Sequence, residues 1–379
     1  MPGRTFLLQS GTNLQMNRLI LTWLLALLMN AGASAQTKDD NGAFKHMDLG
    51  VNLGTTGIGA ELAMPAGKVL RLRTGFSYMP RIEVPMTFGV QVGQDPAKSR
   101  EKFNRLSNAL NNFTGQEVKD EVYTQGRPRF WNWNVLVDVY PLKNNRHWHV
   151  TAGFYLGPSR IAEAFNKTES MGTLVAMNIF NNIHQRVVTS PVLNDEDYFF
   201  DHTAIEVLKD IKFLSDLGFI NFKKLPPQLE DLYFDPEDNV VKSGYQNIAN
   251  YGRMGVYIGT YSHDITDSDG NVIHQKGEPY MIEPDENSMV KTDMTVNALK
   301  PYVGIGYDGR LVSNNDRLSI GFDAGLMFWG GTPSLITHDG TDLIHDVDNV
   351  PGKVGDYVRI IKRAKVFPMV NLRLAFRLF

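Results

Sequence analysis

The feature that most constrains this chain is a two-residue alternation of apolar and polar side chains that recurs along much of its length. In residues 131–139 every odd-numbered position is Trp or Val, and in residues 148–156 every even-numbered position is apolar. A short segment rich in polar residues, 142–145, separates the two runs. Because successive side chains of a β-strand point to opposite faces, the two runs predict a hairpin with one apolar face.

The same alternation continues in five further segments, which are residues 47–64, 70–78, 300–310, 317–328 and 366–378. Within the first of them the parity of the apolar positions flips across residues 54–57. A tight hairpin or a bulge explains such a flip, and a single regular strand does not. With a hairpin there, the chain has eight strands. Ten or more strands remain an alternative if the long segment 162–297 contributes strands to the wall.

The connections between the predicted strands alternate in length. Short turns at 65–67, 142–145 and 312–315 fall on one side, and three long connections fall on the other. The long connections are residues 82–127, 162–297 and 331–365. Outer-membrane barrels have short periplasmic turns and long extracellular loops. The sequence therefore predicts an all-β fold, an antiparallel up-and-down transmembrane barrel of eight strands with long, partly helical extracellular loops.

The polar face of these strands carries charges of both signs. They face water in a soluble sandwich or barrel, or they fill the lumen of a barrel that lies in lipid; the turn pattern favours the second arrangement. Eight strands leave an interior just wide enough for side chains, and buried charges must be paired. The barrel is thus predicted to be an anchor and not a wide pore. The predicted lumen charges are Asp48, Glu61, Arg71, Arg73, Asp138, Lys300, Asp308, Arg310, Arg317, Asp323, Arg373 and Arg377.

Residues 1–35 have the pattern of a secretory signal peptide. Arg18 precedes the apolar run 19–28, and Ala33-Ser34-Ala35 is a small-x-small cleavage site. The run is too short to span a bilayer as a helix, which needs about 20 residues. We expect Met16 to be the true start, and residues 36–379 to form the outer-membrane barrel with its loop insertions.

Composition and motifs exclude several classes of function. The chain of 379 residues has 0 cysteines, which excludes a disulfide scaffold, a thiol nucleophile and a cysteine zinc site. With 38 basic and 41 acidic residues, it lacks the basic excess of a nucleic-acid binder. No Gly-x-Ser-x-Gly, phosphate-loop or His-Glu-x-x-His motif occurs, so the sequence predicts no enzyme, catalytic residue or cofactor. His338 and His345, in an acidic loop, are weak candidates for a metal site.

The long connections carry secondary-structure signals of their own. Apolar residues at helical spacing predict helices within 97–113, 171–183 and 204–217. Arms at 256–261 and 271–281 flank an Asp-Gly turn signal and predict a hairpin outside the membrane. The helical stripes are expected to pack together as an extracellular cap; a groove that binds a partner is the alternative.

Three parts of the chain resemble small outer-membrane β-barrel proteins of Gram-negative bacteria. They are residues 49–64 with a Gly-Thr-Thr-Gly-Ile-Gly core, the strand Ala298-Leu-Lys-Pro-Tyr-Val-Gly-Ile-Gly306, and the closing segment 367–379. The likeness is closest to the poorly characterised members common in Bacteroidetes. It implies a place in the outer membrane, contact with its lipid and assembly by the barrel insertion machinery.

The function expected from the sequence is a barrel anchor that displays a folded loop cap, with a structural or partner-binding role. An extracellular ligand or protein would be the partner. The alternative is a narrow or gated channel for a small solute, because paired lumen charges can rearrange. A third hypothesis, an outer-membrane hydrolase, would have to use His338 or His345, and neither has an identifiable nucleophile at a meaningful spacing.

Overall fold

The computed structural model describes residues 44–142, 145, 147–190, 193, 240–312 and 315–378. The predicted signal peptide and the predicted helix at 204–217 lie outside the described residues. In chain order the strands are β1 (Asp48–Gly54), β2 (Gly57–Pro65), β3 (Leu70–Tyr78), β4 (Val84–Val92), β5 (Glu121–Pro128), β6 (Trp131–Val139), β7 (Trp148–Leu156), β8 (Arg160–Asn166), β9 (Met254–Tyr261), β10 (Ile265–Thr266), β11 (Val272–His274), β12 (Pro279–Ile282), β13 (Lys291–Thr295), β14 (Leu299–Val312), β15 (Asn315–Phe328), β16 (Ser334–Thr337), β17 (Val347–Asp348) and β18 (Val366–Arg377).

Eight of these strands form a closed antiparallel barrel in the order β1-β18-β15-β14-β7-β6-β3-β2. Each pairs with its sequence neighbours among the eight, and β1 pairs with β18 to close the ring, with Asp48 opposite Arg377. The parity flip is a hairpin turn, because Gly54 lies opposite Gly57 and Gly57 has a φ of 96°. The predicted eight-stranded up-and-down barrel is confirmed.

The two faces of the barrel strands differ as the alternation predicts. Val51, Leu53 and Ile305 on the outer face are 57, 60 and 56% exposed, whereas residues between them in sequence are buried in the lumen. Three short hairpins and both described ends of the chain lie at one end of the barrel, called here the turn end; the opposite end is the loop end. Among the described residues, no helix is both long and apolar enough to cross a bilayer.

The predicted loop segments are folded into a cap at the loop end. A second sheet, with the order β12-β9-β4-β5-β8-β13-β16 and with β17 paired to β9, takes strands from all three long connections. Part of the predicted hairpin is present: β9 pairs with β12, whereas the Asp-Gly signal lies in the turn of a separate short hairpin formed by β10 and β11. The helices of the described part are α1 (Pro96–Thr114), α2 (Met171–Val188), α3 (Val240–Tyr251) and α4 (Gly352–Arg363).

Local sequence signals explain helix α1, which the helical spacing predicts. The carboxylate of Asp95 accepts a hydrogen bond from the backbone nitrogen of Ala97 at 3.0 Å, and Pro96 opens the first turn. Gly115 ends the helix with a φ of 67°. The predicted helix near 171–183 is likewise confirmed as α2. The apolar stripes of α1 and α2 are buried in one core with the second sheet; it includes Phe103, Leu106, Leu110, Leu174, Met177, Phe180, Val92, Val122 and Met254.

Replacing Gly153 by Val should prevent the close pairing of β6 and β7. A Cβ atom at Gly153 would lie 2.2 Å from the backbone oxygen of Val135 and 2.8 Å from the Cα of Leu136. We expect the free energy of unfolding to fall by about 1–3 kcal/mol, because overpacking forces the backbone to shift. Ala152→Val, on the exposed outer face of the same strand, is the matched control and should change little. Urea titration with a heat-modifiability gel measures both, and equal losses would contradict the assignment of faces.

Candidate functional site

Charged side chains from several barrel strands meet in the lumen, nearer its turn end than its loop end. The buried members and one hydroxyl partner are called here the lumen network. They are Glu61 on β2, Arg71 and Arg73 on β3, Asp138 on β6, His149 and Thr151 on β7, Asp308 on β14, Asp323 on β15 and Arg373 on β18.

Arg73 is the centre of the lumen network. Its Nη2 atom lies 2.9 Å from Oδ1 of Asp138 and 2.9 Å from Oδ1 of Asp323. Its Nη1 atom donates to Oδ2 of Asp323 at 3.0 Å and lies 3.7 Å from Glu61. The side chain of Arg73 is 2% exposed and that of Asp138 is 0% exposed. Arg73 thus joins strands that are distant in sequence through charge-assisted hydrogen bonds.

Two further arginines extend the lumen network around the ring. Arg373 contacts Asp308 and lies 3.1 Å from Glu61 and 3.3 Å from Asp323. Arg71 lies 2.8 Å from Asp138 and 2.7 Å from Asp308. Each of these carboxylates therefore contacts at least two arginines. Pairing of this kind is what permits several charges to share a space from which water is largely excluded.

Glycines provide the room that the lumen network needs. A Cβ atom at Gly306 would lie 2.2 Å from Cε1 of His149 and 2.7 Å from Oδ1 of Asp323. A Cβ atom at Gly321 would lie 2.6 Å from a carboxylate oxygen of Asp308. At these positions the backbone lies so close to charged side chains that only glycine fits. This explains why glycines occur among the charged residues on the polar face of the strands.

The lumen network holds three arginines and four carboxylates, so with a neutral His149 it has one excess negative charge. The Nε2 atom of His149 lies 3.2 Å from Asp323, and the ring stacks on Tyr140 at a centroid distance of 5.3 Å. Within the network Thr151 donates a hydrogen bond to Asp138 at 2.8 Å, and Tyr140, which borders the network, donates one to Asp308 at 2.8 Å.

The other predicted lumen charges lie outside this network. Asp48 and Arg377 lie 3.6 Å apart near the turn end. Arg310 and Arg317 are exposed on the β14–β15 hairpin at the same end. Lys300 is buried nearer the loop end, where its ammonium group donates to the backbone oxygen of Ala298 at 3.2 Å.

A second, largely uncharged layer fills the lumen between the lumen network and the loop end. Tyr155 and Tyr302 meet edge to face with ring centroids 5.6 Å apart. They are buried in one cluster with Leu136, Met327 and Met369. This aromatic layer and the lumen network thus occupy successive levels of the lumen along the described strands.

Sequence reasoning placed His149 and Thr151 on the polar face, with His149 as a group that could titrate or pack in the lumen. It did not include either residue among the lumen charges, and it did not identify Tyr140. It also missed the aromatic layer. The signal was present, because Tyr155 and Tyr302 occupy lumen-facing positions in the alternation where most other residues are polar or glycine.

The histidines considered as metal ligands make hydrogen bonds within the cap. Nε2 of His338 lies 2.8 Å from the backbone oxygen of Glu283, and Nδ1 of His345 lies 2.8 Å from Oδ2 of Asp342. Burial raises the pKa of Asp342, but hydrogen bonds from His345 and from the backbone nitrogens of Ile344 and Leu335 outweigh it and lower the pKa. Over the described residues, no group of three or more His, Asp or Glu side chains is arranged to hold a metal ion.

The solved structures that resemble this chain do so with low sequence identity and low TM-scores. No protein-family model and no curated protein matches it. The solved structures similar to it include CarO of Acinetobacter baumannii, with 11% identity and a TM-score of 0.32 over 90% of this chain and 99% of that one. CarO2 of the same organism has 12% identity and a TM-score of 0.32 over 89% of this chain and 100% of that one. A major outer membrane protein of Thermus thermophilus has 11% identity and a TM-score of 0.24 over 87% of this chain and 98% of that one. The resemblance to Bacteroidetes proteins has no support among them. The closed barrel rests on the chain's own strand pairing.

Removing Arg73 should destabilise the barrel far more than removing a charge at its rim. Arg73→Ala leaves Asp138 and Asp323 short of a partner in the lumen, so we expect the free energy of unfolding to fall by about 3–5 kcal/mol. Arg377→Ala is the matched control, since the side chain of Arg377 is 41% exposed. Its loss should be below about 1 kcal/mol. Urea titration of the barrel in vesicles measures the difference, and similar losses for the two variants would show that the lumen network does not hold the barrel together.

Proposed function

We propose that this protein is a bacterial outer-membrane anchor whose filled barrel displays a folded extracellular cap, and that the cap carries its binding role. The observation that carries the proposal is the filling of the lumen by two layers, the lumen network and the aromatic layer. Large conducting barrels keep a water-filled interior, whereas narrow barrels are packed with side chains.

The outer surface of the barrel supports a place in lipid. Large apolar side chains stand exposed around it, whereas soluble monomers rarely expose apolar patches of more than a few hundred Å². A belt of this kind fits the hydrocarbon region of a membrane. Contact with outer-membrane lipid and assembly by the barrel insertion machinery follow from this proposal. The exposed outer residues include Leu49, Val51, Leu53, Ile58, Phe76, Trp131, Trp148, Val303, Ile305, Phe322, Leu372 and Phe376.

A narrow or gated channel is the second candidate, and one observation favours it. The side-chain oxygens of Asn52 and Ser77, and the amide of Asn132, are buried without a hydrogen-bond partner in the protein. Water can solvate such groups. A polar path along one side of the lumen could then open if the lumen network rearranged. No catalytic step is part of either proposal.

Epitope tags at the two ends of the barrel should report its orientation. A tag between Asp269 and Gly270, in the exposed turn between β10 and β11, should bind antibody on intact cells, because the cap is proposed to be extracellular. A tag between Ala66 and Gly67, in a turn at the opposite end, should bind only after permeabilisation. Both turns leave room for insertion, since nothing lies within 4 Å of a Cβ atom at either glycine. The opposite pattern would contradict the proposed orientation.

Purified protein should give no discrete conductance steps in a planar bilayer, because the anchor proposal has the two lumen layers close the interior of the barrel. A heat-modifiability gel on the same preparation shows that the barrel is folded. Discrete steps from the wild-type protein would overturn the anchor proposal, and steps whose size changes in Arg73→Ala would place the conducting path at the lumen network.

A further inference from the structure

The cap contains an apolar cavity of about 300 Å³ that is partly open to its surroundings and is lined by residues outside the barrel lumen. Strands β4, β5, β8 and β13 of the second sheet form its floor, and helix α4 lies across them. Met86 and Phe88 of β4, Ala164 of β8, Met294 of β13 and Val358 of α4 are among the residues that line it.

Small side chains create the space. Ala162 and Ala164 lie two residues apart on β8, and Gly126 of β5 lies opposite Ala164. A pocket with apolar walls and few polar groups is the usual form of a small-molecule site. The cavity lies between the second sheet on one side and helix α4 on the other.

Helix α4 is fixed in place as one of these walls. At its C-terminal end, Nε1 of Trp329 donates to the backbone oxygen of Ala364 at 2.8 Å, and Lys362 donates to the backbone oxygen of Val347 at 2.9 Å. Near its N-terminal end, Gly355 packs against Val350, where a Cβ atom would lie 1.9 Å from the backbone oxygen. Walls held in this way are preorganised, which reduces the cost of ordering on binding.

The charges at the cavity are already paired. Arg127 and Glu163 are the charged residues that border it, and Nη2 of Arg127 lies 2.7 Å from Oε1 of Glu163. Arg129 contacts the same carboxylate at 3.0 Å. Burial raises the pKa of Glu163, but hydrogen bonds from Arg127 and Arg129 outweigh it and lower the pKa, so the pair is charged and intact near neutral pH. A ligand therefore needs no charge of its own.

We propose that this cavity is a binding site for a small, uncharged, apolar molecule, such as a bicyclic aromatic hydrocarbon. An apolar protein cavity of about 150 Å³ accepts benzene, so twice that volume accepts a molecule of about twelve non-hydrogen atoms. The site deepens the proposed binding role of the cap. It does not depend on whether the lumen conducts, because the aromatic layer is a separate cluster.

The probe for this site is 1-fluoronaphthalene, observed by fluorine NMR with the full-length protein in lipid nanodiscs and with empty nanodiscs as the background. The wild-type protein should give a saturable bound signal that excess naphthalene displaces. Ala164→Phe fills the cavity and should weaken binding by on the order of tenfold or more. Ala97→Phe makes the same change at an exposed position of α1 and should leave binding unchanged.

Folding of each variant is checked by heat modifiability. If Ala164→Phe does not fold, Met294→Trp fills the cavity from another strand. Crystals of the wild-type protein soaked with 1-bromonaphthalene test the site without any variant, since the anomalous signal of bromine should lie between β4 and α4. Any one of three results would overturn the site. They are no saturable signal from the wild type, undiminished binding by a folded cavity-filling variant, and bromine located elsewhere. A conducting lumen would overturn the anchor proposal but would not contradict the binding site in the cap.

Discussion

The pairing of buried charges inside a narrow barrel is the constraint on which the rest of this structure depends. Removing a carboxylate and a guanidinium from water is costly unless they meet in good geometry. Arg73 meets that condition with Asp138 and Asp323 at 2.9 Å, and the glycines at 306 and 321 supply the space. The same contacts oppose any slip in strand register, because a shift of one residue would move the charges of the slipped strand to the outer face.

The barrel and the cap are continuous in their strands, although they differ in what they enclose. Strand β3 leads into β4, β7 into β8 and β15 into β16, so the wall of the barrel passes directly into the second sheet. The interior changes along this path from charged, through aromatic, to apolar. Under the proposed function, anchoring and binding are therefore separate tasks of one chain, because the lumen network lies in the barrel and the apolar cavity lies in the cap.

Much of the barrel could be predicted from the sequence, because alternation reports directly which face each residue occupies. Alternation does not report how far along the barrel axis a residue lies, however. The same pattern therefore predicted Arg310 and Arg317 as lumen charges alongside Arg73, although they lie at the exposed turn end. Helix α4 was missed despite a clear signal, since Val354, Val358 and Ile361 have helical spacing. The second sheet was beyond reach for another reason: β4 pairs with β9, far away in sequence, and no local pattern states which distant strands meet.

The second sheet takes strands from three loops, and this constrains the order in which the cap can fold. Strands β4, β9 and β16 reach the second sheet from different hairpins of the barrel, so each has an unpaired edge until the others arrive. Exposed edges invite pairing with other chains, and contacts between distant segments form slowly. Cap assembly therefore has to wait until all three segments have reached the loop end of the barrel. The risk of aggregation is therefore greatest while some of these strands still lack their partners.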